Sequence, residues 1–432
     1  MSIIFYHVFL WAYRMGIGLI APWNRKAKSW LEGRKGLFER IQTELGGIVP
    51  GGTPAAAQSI PTIWMHCSSL GEFEQGRPVI ERLKAASPAS RIIITFFSPS
   101  GYEARKGYKG ADHIFYLPLD SRSSARRFID LVNPALVIWI KYDYWYYFLV
   151  ELKKRKIPTL LVSGIFRTDQ PFFKWWGRLH KYMLECFTHL FVQTENSRKL
   201  LETIGFSTNV TTSGDTRFDR VIEIAESRES LPAIEAFCQG GRVIVAGSTW
   251  EEDEEELDHY ANTHPEFKFI IAPHEIEEAR LKEVEKLFRH RIRYSEWVKG
   301  QPLPAGRPAP NVLIIDNIGM LSRLYQYATI AYVGGGFGDD GVHNVLEAAV
   351  YGRPVVFGPV IEKYIEAVEL VDSGGGIVID SALEAESVFS RLLSNTEEYR
   401  QACEASRDYV YSRKGATGKV ISYIQENRLL TR

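Results

Sequence analysis

The candidate catalytic group of this sequence is an acid at the mouth of a small-residue turn. In "WMHCSSLGEFEQGRPVIERLK" an apolar run leads into a turn with Ser68, Ser69 and Gly71, and Glu72 follows, where a core helix needs no charge. A carboxylate in that position can accept a proton from a bound hydroxyl. It can also serve only to stabilise the positive N-terminal end of the following helix. The residues alone leave both interpretations open.

A second stretch, "YVGGGFGDDGVHNVLEAAVYGRPVVFGP", predicts a nucleotide site. The strand ends in Gly334–Gly336, where the absence of side chains would let a ligand approach the backbone. A helix is expected to begin at His343-Asn344, and the free N–H groups of such a start suit a phosphate. Asn344 and Glu347 share one helical face, so the carboxylate could accept hydrogen bonds from ribose hydroxyls. The alternative is a capping box between these two residues. The candidate residues here are Asn344, Val345, Leu346 and Glu347.

Two further strand ends carry candidate contacts. "IAPHEIEEARL" places Pro273 and His274 directly before a helix, where the imidazole could donate to a phosphate or a base, or be only a surface histidine. "IIDNIGMLSRLY" places Ile318, Gly319 and Met320 in a loop whose backbone groups could read a nucleobase edge. The acid run in "AGSTWEEDEEEL", after another small-residue turn, is expected to form a solvated helix face.

The elements that must position these residues alternate between short β-rich runs and helical patterns, which predicts an α/β fold with parallel sheets. The first half contains "TIWMHC", "RIIITFF", "ALVIWI", "PTLLVSG" and "THLFVQT". The second half restarts with "GRVIVAGST", "FKFIIAPH", "NVLIID", "TIAYVGGG", "RPVVFGP" and "GGIVID". Two doubly wound sheets in series would direct the loops at their carboxyl ends into a shared cleft.

The predicted domain organisation has three parts. Residues 1–30 form a membrane-associated segment, 31–230 an acceptor-binding domain and 231–432 a nucleotide-binding domain. The passage between the two domains is "RESLPAIEAFCQGG". The final helices, from about Leu383, are expected to pack back across the domains.

Composition excludes several classes of protein. With 432 residues, 45% of them hydrophobic, the chain is long enough for two globular domains. Its formal net charge of zero argues against a general nucleic-acid-binding surface. The four cysteines form no CxxC pair and the histidines no HExxH motif, so neither a disulfide framework nor a metal site is expected.

The N-terminal segment "MSIIFYHVFLWAYRMGIGLIAPW" is apolar and aromatic, apart from His7 and Arg14. Its positive charges follow the apolar run, which is the reverse of a secretory signal peptide. The segment is long enough to approach a bilayer span, although Arg14 disfavours a simple crossing. A spanning anchor, a helix in the interface and a helix packed on the protein all remain open. The basic residues that follow are Arg25, Lys26, Lys28, Arg34 and Lys35.

The motifs "SSLGEFEQ", "APHE", "DNIGML" and "GGGF…HNVLEAAVYGRPVVFGP" together resemble the 3-deoxy-D-manno-octulosonic acid (Kdo) transferases of lipopolysaccharide synthesis. The resemblance extends over nearly the whole chain. It implies a GT-B architecture, with two Rossmann-like domains facing a central cleft, CMP-Kdo as donor and a lipid A precursor as acceptor. It also implies the cytoplasmic face of the inner membrane, inverting transfer, and no metal cofactor.

The same resemblance assigns roles to the candidate residues. Glu72 corresponds to the general base, which would take the proton from the acceptor hydroxyl as that oxygen attacks the anomeric carbon. Glu74, two positions on, is the weaker candidate. The CMP contacts implied are Pro273, His274, Ile318, Gly319, Met320, Asn344, Val345, Leu346 and Glu347.

The sequence departs from the family pattern at two places. The family commonly has an acid at the position of Met320, so only backbone contact is expected there. Where the family often has Glu-Thr-Glu-x-Trp-Pro, this chain has "KYDYWY", in which Asp143 and Trp145 keep that character and Lys141 reverses the first charge. The acceptor site is therefore expected to differ at Lys141.

Acceptor binding requires a surface for acyl chains and phosphates. "WNRKAKSW" and "RTDQPFFKWWGRLHKYM" mix aromatic and basic residues as membrane interfaces do, and Arg167, Lys174 and Arg178 are candidates for lipid phosphates. Ordinary aromatic packing with snorkelling bases is the alternative. Two other functions are compatible with the motifs, namely a sugar-nucleotide epimerase and a non-catalytic membrane-bound nucleotide-binding scaffold. No motif indicates how many Kdo residues would be transferred.

Overall fold

The computed structural model describes residues 3–46, 60–227, 229–300, 308–339 and 341–430, and it contains two parallel sheets of seven strands each. Residues 1–2 of the predicted segment 1–30 and residues 431–432 of the predicted domain 231–432 lie outside the described residues. The first sheet contains β1 (Thr62–Cys67), β2 (Arg91–Phe96), β3 (His113–Tyr116), β4 (Pro134–Ile140), β5 (Thr159–Gly164), β6 (His189–Val192) and β7 (Val210–Thr212). The second contains β8 (Val243–Thr249), β9 (Lys268–Pro273), β10 (Arg291–Arg293), β11 (Val312–Ile314), β12 (Ile330–Val333), β13 (Val355–Phe357) and β14 (Gly376–Val378).

The helices of the first half are α1 (Ile3–Ile20), α2 (Arg25–Glu32), α3 (Leu37–Glu44), α4 (Leu70–Ala86), α5 (Pro99–Arg105), α6 (Arg122–Val132), α7 (Tyr146–Lys154), α8 (Arg178–Leu184), α9 (Glu195–Thr203) and α10 (Thr216–Ser227). Those of the second half are α11 (Pro232–Cys238), α12 (Glu251–Thr263), α13 (Glu278–Leu287), α14 (Tyr294–Val298), α15 (Leu321–Leu324), α16 (Leu346–Ala349), α17 (Ile365–Asp372), α18 (Ala382–Ser394), α19 (Thr396–Tyr411) and α20 (Ala416–Glu426). Short 3₁₀ helices lie at Pro171–Phe173 and Tyr325–Tyr327.

The strand order of each sheet is doubly wound. The first sheet has the order β3-β2-β1-β4-β5-β6-β7, so its order reverses between β1 and β4. The second has the order β10-β11-β9-β8-β12-β13-β14, and its reversal lies between β8 and β12. In open parallel sheets, ligands bind outside the carboxyl ends of the strands at such a reversal. The predicted α/β class with two Rossmann-like domains is confirmed.

The predicted strands are the ones with long apolar runs. Every residue of β1 is buried, because a parallel sheet is covered by helices on both faces. Three strands were not predicted: β3, β7 and β10. Each has only three or four residues, and β10 is the edge strand "RIR" with one exposed and one half-buried arginine. Edge strands need no continuous apolar run, so periodicity does not reveal them.

The chain forms two compact units, 1–220 with 415–432, and 221–414. The division therefore lies inside α10, whereas the sequence analysis placed it at 230–231. The predicted passage between domains contains α11. The last helix, α20, belongs to the first unit. Its Val420 and Ile424 are buried in the same core cluster as Met65 of β1 and Val79 of α4.

Helix α1 leaves most of its apolar surface uncovered. It has a mean hydropathy of 1.5 and only 6% of its residues are buried. Among the described residues it is the one helix long and apolar enough to cross a membrane. One side is nevertheless attached to the first unit. Tyr6 is buried and donates to Asp120 Oδ2 at 2.5 Å, and Tyr13 packs edge-on against Trp30 at 5.7 Å.

The packing of α20 gives a prediction. Ile424→Ala should lower the free energy of unfolding of the first unit by about 2–5 kcal/mol, because Ile424 is 2% exposed and its removal leaves a cavity in the core. Urea denaturation followed by tryptophan fluorescence measures the change. Gln425→Ala, at an exposed neighbour on the same helix, is the control and should stay within about 0.5 kcal/mol of the parent. If both variants lowered the free energy of unfolding equally, α20 would not complete the core.

Candidate active site

The reversal of the first sheet brings together residues from two distant parts of the chain. Because β1 and β4 are paired in parallel, the loops that follow them leave the same edge of the sheet. Ser68 and Glu72 follow β1, and Lys141 and Asp143 follow β4. The predicted base therefore lies at the position where the topology favours a ligand.

Glu72 lies in the first turn of α4, whose N-cap is Ser69. The Ser69 hydroxyl accepts from the Glu72 N–H at 3.4 Å, and the Glu72 side chain turns back to accept from the Ser68 N–H. The carboxyl is only 8% exposed. Burial raises its pKa to about 7; Asp143 also raises it, whereas the Ser68 N–H and the charge of Lys141 oppose the rise. A group that titrates near neutral pH can both accept and release a proton.

Stabilising the end of α4 does not by itself explain this environment. A carboxylate placed only to stabilise a helix N-terminus would have a lowered pKa, since both the dipole and the N–H groups favour its charged form. In Glu72, burial raises the pKa by more than the helix end and the N–H groups lower it. Glu74, in contrast, lies in a surface ion-pair network with Arg105 at 2.8 Å and Arg77 at 3.7 Å. Of the two acids, Glu72 has the environment of a proton acceptor.

Asp143 is the partner that sequence reasoning did not assign to the site. Its carboxyl accepts a hydrogen bond from the Ser68 hydroxyl, and burial raises its pKa to about 6. Its backbone carbonyl accepts from Trp139 Nε1 at 2.5 Å, which fixes the loop to β4. Ser68 thus donates its N–H to one buried acid and its hydroxyl to another. Two such acids do not readily carry full charge together.

Lys141 supplies a positive charge to the same loop. Its backbone has a φ of 52°, in the left-handed region, directly after β4. Its charge lowers the pKa of both Glu72 and Asp215. Burial would raise the pKa of Asp215, but Arg217, in an ion pair at 2.8 Å, holds that pKa below its usual value. Gln75 of α4 also donates to Asp215 at 3.0 Å. Lys141 therefore lies close enough to these carboxylates to favour their charged forms.

The reversal of the second sheet carries the triple glycine after β12. A Cβ on Gly334 would lie 2.5 Å from the Ser248 oxygen, and one on Gly336 would lie 2.6 Å from the Gly358 nitrogen. Gly335 has a φ of 90° and donates its N–H to Asp253 at 2.8 Å. These glycines are required by the packing of the domain's own backbone. The expectation that a ligand approaches their backbone stays a prediction.

The acid run on α12 is also less solvated than predicted. Asp253 and Glu254 are 1% and 0% exposed. Besides Gly335, Asp253 accepts from the Trp250 N–H at 2.9 Å and from the Tyr332 hydroxyl at 2.7 Å. Glu254 accepts from the Thr249 hydroxyl at 2.8 Å. The first turn of α12 thus fixes the loops after β8 and β12.

Three aromatic rings stack at these strand ends. The His274 ring lies 4.6 Å from both Trp250 and His343, with interplanar angles of 25° and 15°. Trp250 Nε1 donates to His343 Nε2 at 3.0 Å. Because an indole nitrogen only donates, Nε2 must be the unprotonated nitrogen, and we assign the proton of the neutral ring to Nδ1. His274 was a candidate from the sequence; Trp250 was not, and the acid run after it gave no signal of this contact.

The helix predicted to begin at His343-Asn344 begins later. α16 has only four residues, from Leu346 to Ala349, and its N-cap is Val345. Asn344 is therefore not an N-cap, and its Nδ2 donates to Glu347 Oε1 at 3.0 Å. Asn344 Oδ1 is buried and has no hydrogen-bond donor among the described residues. Because a single turn contributes little dipole, an anion here would depend on individual N–H groups and side chains.

The remaining candidate contacts differ in exposure. Ile318 is 86% exposed, Gly319 has a φ of 97° with open space around it, and Met320 is 7% exposed. A buried Met320 leaves its loop to act through backbone groups, as expected. Pro273 ends β9 and is buried, and His274 is exposed.

The aromatic and basic segment proposed for the acceptor is partly exposed. Trp175 is 95% exposed and Trp176 39%, whereas Phe172 is buried at 6%. The candidate phosphate ligands Arg167, Lys174 and Arg178 are all exposed. Only part of the segment therefore takes part in ordinary aromatic packing. Within the described ranges, no group of three His, Cys, Asp or Glu side chains is arranged to hold a metal ion.

Comparison with known proteins identifies relatives of the chain. Residues 36–220 match the family model described as 3-deoxy-D-manno-octulosonic-acid transferase (kdotransferase). The 3-deoxy-D-manno-octulosonic acid transferase of Aquifex aeolicus is 26% identical over 78% of this chain and 88% of its own. A bifunctional glycosyltransferase/methyltransferase of Fusobacterium nucleatum is 26% identical over 85% of this chain, which spans only 55% of that longer protein. Among solved structures, the UDP-GlcNAc 2-epimerase of Neisseria meningitidis has a TM-score of 0.60 at 19% identity, covering 84% of this chain and all of that one. The structural likeness shows the fold.

The first pair of loops gives a prediction about proton affinity. Asp143→Asn should lower the pKa of Glu72 by about one unit, because it removes a like charge and keeps an acceptor for Ser68. Lys141→Met should raise that pKa by a similar amount, because it removes an opposite charge. Carbon-13 NMR titration of glutamate carboxyls, with the Glu72 signal identified by its loss in Glu72→Gln, measures both. Asp112→Asn and Lys106→Met, at surface ion pairs, are controls that should leave it unchanged. Shifts of the same sign in both variants would contradict this account.

The aromatic stack gives a second prediction. In Trp250→Phe the His343 ring loses its Nε2 hydrogen-bond donor, so its Nδ1–H tautomer should give way to Nε2–H. Nitrogen-15 NMR of the imidazole distinguishes the two tautomers. The matched control is Trp297→Phe in the same domain, because that indole donates to the Ala233 carbonyl at 2.8 Å. An unchanged His343 spectrum in Trp250→Phe would refute the assignment of the proton.

Proposed function

We propose that this chain, whose residues 36–220 match the Kdo transferase family model, transfers Kdo from CMP-Kdo to a lipid A precursor. It is a glycosyltransferase of lipopolysaccharide biosynthesis. The observation that carries the proposal is the buried carboxyl of Glu72, which titrates near neutral pH at the reversal of the first sheet. A general base needs a pKa close to the pH at which it operates.

The reaction is a single displacement with inversion. As the acceptor oxygen forms its bond to the anomeric carbon of Kdo, the bond from that carbon to the CMP phosphate oxygen breaks. The acceptor proton passes to Glu72, and CMP leaves with the bonding electron pair. Only the carboxylate form of Glu72 can accept the proton, and this form prevails above pH 7. Lys141 favours this form, and a charged Asp143 opposes it.

We assign the donor nucleotide to the second domain. Asn344 and Glu347 are hydrogen-bonded to each other, and Asn344 Oδ1 lacks a donor that a nucleoside hydroxyl or amino group could supply. His274, stacked against both Trp250 and His343, offers ring nitrogens near the expected phosphate. CMP carries one phosphate, so N–H donors can stabilise the leaving charge, and we expect no requirement for a metal.

We further propose that α1 lies in the membrane interface at the cytoplasmic face of the inner membrane. Its exposed apolar residues, among them Phe5, Phe9 and Trp11, suit the acyl boundary. If α1 left the domain to span a bilayer, the hydrogen bond from Tyr6 to the buried Asp120 would break. Asp120 also accepts from two backbone N–H groups of α7, so Tyr6 completes an existing network.

The alternatives predict different products. An epimerase would change CMP-Kdo or another sugar nucleotide without any lipid, and the fold shared with UDP-GlcNAc 2-epimerase does not distinguish the two activities. A scaffold would bind CMP without turnover. The exposed apolar α1 and Trp175 favour a lipid acceptor over both alternatives.

The test is transfer to a tetra-acylated lipid A precursor, followed by mass analysis of the lipid and measurement of released CMP. Glu72→Gln should lower kcat by about 10²–10⁴-fold, because the amide cannot accept the proton. CMP affinity, measured by calorimetry, should be unchanged. Glu74→Gln, on the same helix but in a surface ion-pair network, is the matched control and should retain activity.

Each rival has its own outcome in this assay. A new sugar-nucleotide isomer in the absence of lipid would identify an epimerase, and CMP binding without turnover would identify a scaffold. An active Glu72→Gln variant would remove the assigned base. The assay is repeated with EDTA, and loss of activity there would contradict the metal-free expectation.

A further inference from the structure

A cavity of about 420 Å³ lies in the first unit among α1, α2, the start of α3 and the loop before α6. Four basic residues line it, and Glu32 is the one acid in its lining. The basic residues come from three places in the chain: Arg14 on α1, Lys28 on α2, and Arg34 and Lys35 in the turn before α3. The cavity is therefore strongly biased towards an anion.

Three of these cations have no counter-ion. Arg14, Lys28 and Lys35 are exposed and form no ion pair with any carboxylate in the described part of the chain. Unpaired side chains that converge on one cavity remain available to an incoming charge. Glu32, which could have neutralised one of them, likewise forms no ion pair among the described residues.

Arg34 forms the fixed wall of the cavity. Its guanidinium donates to the carbonyls of Trp30, Phe97 and Leu117 at 2.9–3.1 Å and lies 4.0 Å from the Trp30 ring centroid. Burial lowers its pKa to about 9, so it remains charged at neutral pH. Because its partners are neutral carbonyls and rings, its positive charge is not cancelled by a neighbouring acid.

A neutral donor in the cavity lining also lacks a partner. Trp30 is 4% exposed, and its indole N–H is buried without an acceptor among the described residues. A buried donor without an acceptor costs free energy, so such groups are uncommon unless a ligand or water satisfies them. This N–H lies inside the wall of the cavity and is not open to it, so the anion preference of the cavity rests on its cations.

Apart from Ser124, the rest of the lining is largely apolar. It includes Leu31, Leu37, Phe38 and Leu119, so the cavity offers carbon contacts beside its cations. Arg14 also connects the cavity to α1, whose neighbouring Trp11 and Met15 are exposed. A soluble anion would use the charges but not the apolar residues or the adjoining apolar helix.

We propose that this cavity binds the phosphate-bearing headgroup of an anionic membrane lipid. The phosphate oxygens accept from Arg14, Lys28 and Lys35 at the mouth, and the glycerol and first acyl carbons lie against the leucines. The inference rests on the membrane association of α1 proposed above. It does not depend on Kdo transfer, since it needs neither donor nor acceptor.

The experiment is sedimentation of the full chain with vesicles, either of phosphatidylcholine alone or with one third phosphatidylglycerol. Lys28→Gln/Lys35→Gln should lose at least about tenfold more affinity for the anionic vesicles than the matched variant Arg25→Gln/Lys26→Gln. Arg25 and Lys26 lie on the same helix and are exposed, but they do not line the cavity. Affinity for neutral vesicles should be the same in both variants, because α1 is intact.

The controls separate a built site from diffuse attraction. If both double variants lose affinity equally, by about 30-fold for two surface charges, the attraction is diffuse and the proposal is overturned. If inorganic phosphate at millimolar concentration abolishes the preference for anionic vesicles while sodium chloride of equal ionic strength does not, the site takes free phosphate and the lipid assignment is wrong.

Discussion

The chemistry of the first domain depends on one serine that donates to two acids. The Ser68 N–H donates to Glu72 and its hydroxyl donates to Asp143. Burial raises the pKa of both carboxyls above the usual values for these side chains. This arrangement exists because β1 and β4 are neighbours at the reversal of strand order, so two loops meet at one edge of the sheet. The positive charge of Lys141 opposes this rise and lowers the pKa of Glu72. The fold thus raises the pKa of Glu72 chiefly by limiting water around its carboxyl, and the nearby Asp143 adds to the rise.

At the reversal of strand order in the second domain, between β8 and β12, the loops are held together by different contacts. Its strand ends are joined by hydrogen bonds to a buried carboxyl and by ring stacking, with Asp253 as the shared acceptor for the loops after β8 and β12. Trp250 fixes the protonation of His343, and His274 lies against both rings. The glycines that suggested a ligand site in the sequence are required by the close approach of Gly336 to Gly358. A rigid scaffold of neutral donors suits an anionic ligand better than a cluster of acids would.

The sequence predicted the fold class and eleven of the fourteen strands in the described residues, because long apolar runs are local signals. The role of Glu72 as a base came from the family resemblance and stays a prediction. It did not predict that Asp143 meets Ser68, since their contact depends on which strands become neighbours. The start of α16 was placed too early because Asn344 resembles an N-cap, yet its amide bonds the Glu347 side chain instead. Asp253 and Glu254 were expected in solvent because charge runs usually are, whereas backbone N–H groups and hydroxyls satisfy them in the interior. Tertiary contacts decided each of these cases.

The position of α20 has a consequence for the order of assembly. The chain completes the hydrophobic interior of its first domain with residues made after the whole of the second. During synthesis, the sheet that contains β1 and β4 must therefore leave the ribosome with one side of its interior uncovered, while 221–414 emerge and fold.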